Sequence, residues 1–130
     1  MKLIFNFFLV IVFSLIIISK ASAMSNTKEQ LVIELKDGNV VIDLREDLAP
    51  KHVERIKKLT NEGFYDNIIF HRVIDGFMAQ TGDPTGTGMG GSDYPDLPAE
   101  FTPEPFERGA IGMARSQSPN SANSQFFICF

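Results

Sequence analysis

Little in this sequence can build a disulfide, a metal centre or a nucleic-acid interface. Cys129 is the one cysteine, which excludes an intramolecular disulfide and a cysteine-rich metal cluster. The two histidines, His52 and His71, fall in unrelated segments and do not make a metal site. Basic residues are outnumbered 12 to 16, for a net charge of −4. Lys51, Arg55, Lys57 and Lys58 belong to one helical pattern and alternate with Glu54, so no basic patch forms and nucleic acid is a poor partner. Gly86-x-Gly88-x-Gly90-Gly91 contains no lysine and no helix pattern follows it, which excludes a P-loop and a dinucleotide fingerprint. That stretch, Pro84 to Ser92, reads as a flexible or bulged surface loop. Ser116, Ser118, Ser121 and Ser124 have no base assigned to them, so a serine hydrolase is not indicated.

One long apolar run is present, at the N-terminus. Met1-Lys2 precedes Leu3 to Ile18, and Ser19-Lys20-Ala21-Ser22-Ala23 follows, with the Ala-x-Ala pattern of a signal-peptidase site after Ala23. The run is short for a span of roughly 20 residues, so residues 1–23 read as a cleaved signal, with an uncleaved membrane anchor as the alternative. After cleavage no stable membrane association is expected. With Lys2 and Lys20 removed, 10 basic residues face 16 acidic ones and the net charge moves from −4 to −6. An exported chain without disulfides fits a periplasm, and the absence of any Asn-x-Ser/Thr acceptor agrees with a bacterial setting.

Residues 24–30 read as a polar linker and 31–130 as one domain. Leu31-Val32-Ile33-Glu34-Leu35 and Val40-Val41-Ile42-Asp43-Leu44 flank Lys36-Asp37-Gly38-Asn39, which predicts a hairpin. Leu31, Ile33 and Leu35 share one face with Val40, Ile42 and Leu44 and turn it to the core. Ala49-Pro50 opens a helix, Val53, Ile56 and Leu59 line its apolar stripe, and Gly63 ends it. Its expected task is to plug or cover a sheet. Ala110 to Ala114 reads as a buried strand, Arg115 to Asn123 as a polar loop, and Ser124 to Cys129 as a further strand.

Chemistry concentrates between Phe70 and Asp83. Two short strands are predicted there, the first led in by Ile68-Ile69-Phe70, with a tight turn at Ile74-Asp75-Gly76. Alternation puts Arg72 on a face with Phe70, and His71 with Val73 on the other, where His71 is expected to be packed or hydrogen-bonded. Phe77, Met78 and Gln80 come from the second arm. A cation, an aromatic, a thioether and an amide can line a shallow pocket that holds no nucleophile and no acid pair.

Three blocks together resemble the cyclophilin-type peptidyl-prolyl cis-trans isomerases: Phe70-His71-Arg72-Val73-Ile74-Asp75-Gly76-Phe77-Met78-Ala79-Gln80-Thr81-Gly82-Asp83, then Gly109-Ala110-Ile111-Gly112-Met113-Ala114-Arg115, then Pro119 to Ile128. The resemblance implies a mainly β fold, an eight-stranded antiparallel barrel with two capping helices. The family continues past this point with a loop bearing an aromatic, a leucine and a histidine, then further strands and the second helix. The expectation is therefore a barrel lacking its C-terminal strands and second helix, with unpaired edges, in a chain that reads as a fragment.

The resemblance further implies rotation about X-Pro peptide bonds, without cofactor or metal, in the service of folding exported proteins. Arg72 and Gln80 take the catalytic places. Phe77, Met78 and Phe127 grip the proline ring, and Ala114, Arg115 and Gln125 bind the rest of the peptide. Proline-containing polypeptides are the implied partners, with cyclosporin-like ligands as a second class. The alternative is a non-catalytic proline-peptide binding module or an inactive remnant.

Overall fold

A computed structural model describes residues 28–130. The apolar run from Leu3 and the expected cleavage after Ala23 lie outside the described residues.

The fold is mainly β, with six strands in two sheets and one helix among the described residues. Strand β1 (Gln30–Leu35) pairs antiparallel with β2 (Gly38–Asp43) across the two-residue turn Lys36-Asp37. The register sets Leu31 opposite Ile42 and Ile33 opposite Val40, so the expected apolar face is in phase on both strands. Ile42 is buried at its centre, while Leu35 at the turn is exposed.

Helix α1 (Pro50–Asn61) buries Val53, Ile56 and Leu59, the stripe read from the sequence. Proline occupies the first turn, where no backbone donor is needed. The helix ends in a Schellman arrangement: Phe64 N–H donates to the Leu59 carbonyl (2.9 Å) and Gly63 N–H to that of Thr60 (3.0 Å). Gly63, at φ 71°, takes the left-handed position this turn needs. Ala49 offers no side-chain cap at the start. Glu100 supplies one from a distant loop, its carboxylate accepting from the N–H groups of Lys51 (3.1 Å) and His52 (3.0 Å).

Four further strands form the second sheet, in the order β3 (Arg72–Ile74), β4 (Met78–Thr81), β6 (Phe126–Cys129), β5 (Ile111–Met113), all antiparallel. Two expectations shift here. Residues 68–71 are not strand, and at Ile69 the carbonyl accepts from the Thr81 hydroxyl (2.9 Å). The turn after β3 is Asp75-Gly76-Phe77, closed by Phe77 N–H on the Ile74 carbonyl (3.1 Å), so Phe77 stands in the turn and not on the strand. Gly76 at φ 67° meets the turn's demand for a left-handed residue.

Between the hairpin, α1 and the inner face of the four-stranded sheet lies a cavity of about 870 Å³, lined by Ile42, Val53, Ile56, Met113, Phe126 and Ile128 among others. Helix α1 thus borders this interior space beside the sheets, as the sequence-based reading of a covering helix anticipates.

Candidate functional site

The side chains predicted for the site stand on the opposite face of the four-stranded sheet. The ladder registers Arg72 with Gln80, Gln80 with Phe127, and Phe127 with Gly112, so one row crosses all four strands. Side chains in one row point to one side, and i±2 neighbours follow them. That rule adds Met78 to this face and assigns Phe126, Ile128, Ile111 and Met113 to the cavity side. Arg72 and Gln80, both given catalytic places by the resemblance, and Phe127, from a separate block, therefore meet in one row.

At one end of the row Arg72 is exposed and donates from Nη1 to Gln80 Oε1 at 3.5 Å, the outer limit of a hydrogen bond. Phe77 projects from the turn with 57% of its surface exposed, and Met78 behind it is buried. Phe127 is half-buried and its ring lies against Phe106, with centroids 5.3 Å apart and planes tilted by 55°. Gly112 makes room for both rings: a Cβ there would come within 2.6 Å of Phe106 and 2.7 Å of Phe127. Phe106 went unread in the sequence because it lies in a proline-punctuated stretch with no strand period.

Beyond Gln80 the polar side chains form a chain. Gln80 Nε2 donates to Gln125 Oε1 at 2.8 Å, and Gln125 Nε2 donates to the carbonyls of Gly88 (3.1 Å) and Gly90 (2.7 Å). Both amide hydrogens of Gln125 are thus engaged within the protein, and Gln125 holds its neighbours. Gln125, expected as a peptide-binding residue, stands directly against Gln80 in this chain.

The glycine-rich stretch that Gln125 grips is a loop, as expected, and hydrogen bonds tie it down. It wraps the carboxylate of Asp83, a fully buried side chain. Asp83 accepts from Thr85 N–H (2.7 Å) and Thr85 Oγ1 (2.8 Å), and from the N–H groups of Gly88 (2.6 Å) and Gly90 (3.1 Å). Burial pushes this carboxyl up, but the hydrogen bonds from Thr85, Gly90 and Gly88 prevail and hold it well below the usual carboxylate range. Gly90 has to be glycine, since a Cβ would collide with the Asp83 carboxylate. The cradle has the backbone geometry of an anion nest, and the chain's own aspartate fills it.

Two further contacts lock β4 to the start of β6. Ser124, fully buried, donates from Oγ to the Gly82 carbonyl (2.7 Å), and Tyr65 donates its phenol proton to the Ser124 carbonyl (2.9 Å). Burial pushes the Tyr65 phenol up, with Arg55 pulling the other way, so it stays a donor. Asn123 accepts from Ser92 N–H (2.8 Å) and Oγ (2.6 Å) and donates to the Tyr94 carbonyl (2.9 Å), pinning the far end of the loop.

Ala114 and Arg115 leave the sheet just past β5. The Ala114 N–H donates to the Gln125 carbonyl (2.9 Å). The Arg115 side chain turns back to the carbonyls of Ser116 (2.9 Å) and Gln117 (3.4 Å) and lies 5.8 Å from the Phe101 ring centroid. His71 is packed without being hydrogen-bonded: neither ring nitrogen has a partner, and the ring lies along Gly88. His52 is turned to the Pro98 carbonyl (3.0 Å). Among the described residues no three His, Cys, Asp or Glu side chains gather as metal ligands would.

Comparison with known proteins shows the family. A family model described as cyclophilin type peptidyl-prolyl cis-trans isomerase/CLD matches residues 30–130. A probable peptidyl-prolyl cis-trans isomerase of Brucella suis is 56% identical over 122 residues, covering 85% of this chain and 62% of the relative. A peptidyl-prolyl cis-trans isomerase of Synechococcus elongatus is 42% identical over 100 residues, covering 77% of this chain and 68% of that protein. Among solved structures, a Cryptosporidium parvum cyclophilin-type isomerase crystallised in the presence of the dipeptide Ala-Pro superposes with a TM-score of 0.73 at 37% identity, over 78% of this chain and 68% of that one. A cyclophilin from Hirschia baltica gives a TM-score of 0.69 at 27% identity, over 78% of this chain and 57% of that one. The chain spans 62% of the length of the Brucella relative.

Proposed function

The chain belongs to the cyclophilin-type peptidyl-prolyl cis-trans isomerase family, and on that premise we propose that it rotates X-Pro peptide bonds in polypeptides that fold after export. The observation that carries this reading is the single row Arg72–Gln80–Phe127, a guanidinium held by an amide beside apolar side chains on one open sheet face.

The barrier to rotation is the amide's partial double bond, about 18–20 kcal/mol. No bond is cleaved, so neither a nucleophile nor a leaving-group acid is called for. In the twisted transition state the nitrogen lone pair is released from resonance and becomes an acceptor. A fixed guanidinium then interacts more strongly with the twisted amide than with the planar one, which is selective stabilisation of the transition state. Arg72 fits this role because it stays charged and presents its donors from a rigid plane. Gln80 restrains it. Phe77, Met78 and Phe127 grip the proline ring, and the Ala114 carbonyl with the Arg115 N–H holds the preceding residue.

Magnitudes divide the work. A million-fold acceleration needs roughly 8 kcal/mol, and a hydrogen bond to a charged group supplies about 1.5–3 kcal/mol. The rest falls to desolvation and to fixing one side of the peptide while the other turns.

Export is supported by the run from Leu3 to Ile18 and the Ala21-x-Ala23 site, which fit a periplasmic product. Proline-containing clients follow from the site. Cyclosporin-like ligands remain a second class that the same apolar face would take.

The test is exchange spectroscopy on a short Xaa-Pro peptide with the chain and with Arg72→Ala. The proposal expects the exchange enhancement to fall by at least tenfold while the peptide's dissociation constant changes by less than threefold. Equal enhancement in both proteins overturns it, and binding without any enhancement in the unsubstituted chain assigns a proline-peptide binding module instead.

A further inference from the structure

The side-chain chain behind Arg72 has a direction, and Asp83 sets it. An amide group can be turned either way, with its oxygen or its NH2 toward a given neighbour. Two backbone carbonyls, those of Gly88 and Gly90, face the Gln125 side chain, and carbonyls only accept. Gln125 must therefore offer NH2 to the loop and oxygen to Gln80. Gln80 in turn must offer NH2 to Gln125 and oxygen to Arg72. Reversing any one member leaves acceptor against acceptor and an amide group without a partner at a half-buried site, which is costly.

Fixing this order requires that the two carbonyls stay aimed at Gln125. Glycines at 88 and 90 have no side chains to hold them, and Gly88 sits at φ 85°. Their N–H groups are held instead, both by the Asp83 carboxylate. The same two residues thus have their donors on Asp83 and their acceptors on Gln125.

We propose that Asp83 is a positioning residue for Arg72. It holds Gly88 and Gly90 so that their carbonyls orient the Gln125 amide, which orients Gln80, which presents its oxygen to the guanidinium. The inference rests on the catalytic role given to Arg72 above. It adds that the glycine-rich loop belongs to the catalytic apparatus although it contributes no side chain to the pocket.

A double-mutant cycle with Asp83→Asn and Gln80→Ala tests this in the full chain, read by exchange spectroscopy on the Xaa-Pro peptide and by side-chain amide signals. Asparagine keeps the size of Asp83 and replaces one acceptor by a donor. Asp83→Asn is expected to lower the exchange enhancement about tenfold, with peptide affinity within threefold, and to shift the NH2 signals of both Gln125 and Gln80. In the Gln80→Ala background the same substitution is expected to cost less than twofold, since the path to Arg72 is already cut. A merely structural role gives the opposite result: multiplicative losses, or unmoved Gln80 signals, and either overturns the proposal.

Where Asp83→Asn does not fold, Thr85→Val takes its place in the cycle. It removes the hydroxyl that donates to the Asp83 carboxylate (2.8 Å), so a smaller loss of enhancement is expected, again suppressed by Gln80→Ala and again with shifted Gln80 NH2 signals, and a loss without that coupling overturns the proposal. If the unsubstituted chain shows no isomerisation, the proposed function fails, and the amide signals still decide whether Asp83 orients Gln80.

Discussion

The Asp83 carboxylate and the Gln125 side-chain amide hold the same two residues from opposite sides. Gly88 and Gly90 give their N–H groups to one and their carbonyls to the other. A stretch with the composition of a flexible loop becomes a hydrogen-bonded spacer between a buried charge and the open face that carries Arg72. Testable outcomes follow from this arrangement and from its surroundings.

The first concerns pH. The Asp83 carboxyl lies well below its ordinary value of 3.8, because its hydrogen bonds outweigh the opposing effect of burial. A carboxyl depressed in the folded state stabilises the fold above its unfolded pKa, and that contribution is lost as pH falls toward the folded value. The melting temperature of the unsubstituted chain is expected to exceed that of Asp83→Asn at pH 7. The gap should narrow steadily below about pH 4. A gap that stays constant down to pH 2 would refute the assignment.

Two glycines with similar backbone angles should respond differently to alanine. Gly82 at φ 89° packs against the Ser124 carbonyl and the Gln125 backbone, so a Cβ has no room. Gly76 at φ 67° has nothing within 4 Å of the site of a Cβ. Gly76→Ala is expected to cost only the left-handed penalty, about 1–2 kcal/mol. Gly82→Ala adds a backbone collision and should exceed 3 kcal/mol or abolish cooperative unfolding, as urea titration of both proteins would show.

Helix α1 borrows its cap. Removing the Glu100 carboxylate by Glu100→Ala leaves the N–H groups of Lys51 and His52 without their acceptor and is expected to cost about 1–2 kcal/mol. Glu100→Gln keeps one acceptor and should lose roughly half of that. Thermal unfolding of the pair decides it, and equal stability of all three proteins would remove Glu100 from the account.

Phe127 should affect binding where Arg72 affects rate. Its ring leans on Phe106 over Gly112, in one row with Gln80 and on the sheet face assigned to Met78. Phe127→Ala is expected to weaken proline-peptide binding by about 1.5–3 kcal/mol, the value of burying one such side chain. Peptide titration measured by chemical-shift perturbation tests this, and an unchanged dissociation constant would place the proline ring elsewhere.

Local sequence carried a good deal of this. The in-phase apolar face of the β1–β2 hairpin, the buried stripe Val53, Ile56 and Leu59, the glycine stop at Gly63 and the left-handed Gly76 all follow from short-range rules, while the hairpin's register was set by a turn two residues shorter than the sequence suggests. Arg72 and Gln80 were legible as members of the two arms of one hairpin, but their pairing depends on the turn at Asp75-Gly76-Phe77, one residue later than the sequence suggests, since moving the turn by one residue shifts the partner by two.

The remainder depended on segments that meet only in the folded chain. Gln80 reaches Gln125 across 45 positions, and His52 reaches Glu100 across 48. No periodicity in either segment encodes such a meeting, because it is chosen by how β4 and β6 pair and how the loop before β5 lies on α1. The same holds for the glycine-rich loop. Its composition determined that the backbone could bend freely, and only the buried Asp83 decided which bend it takes, since a charged group removed from water must find donors and the loop's N–H groups were the ones within reach. The sequence determined which side chains the site could use; tertiary pairing decided which of them face one another.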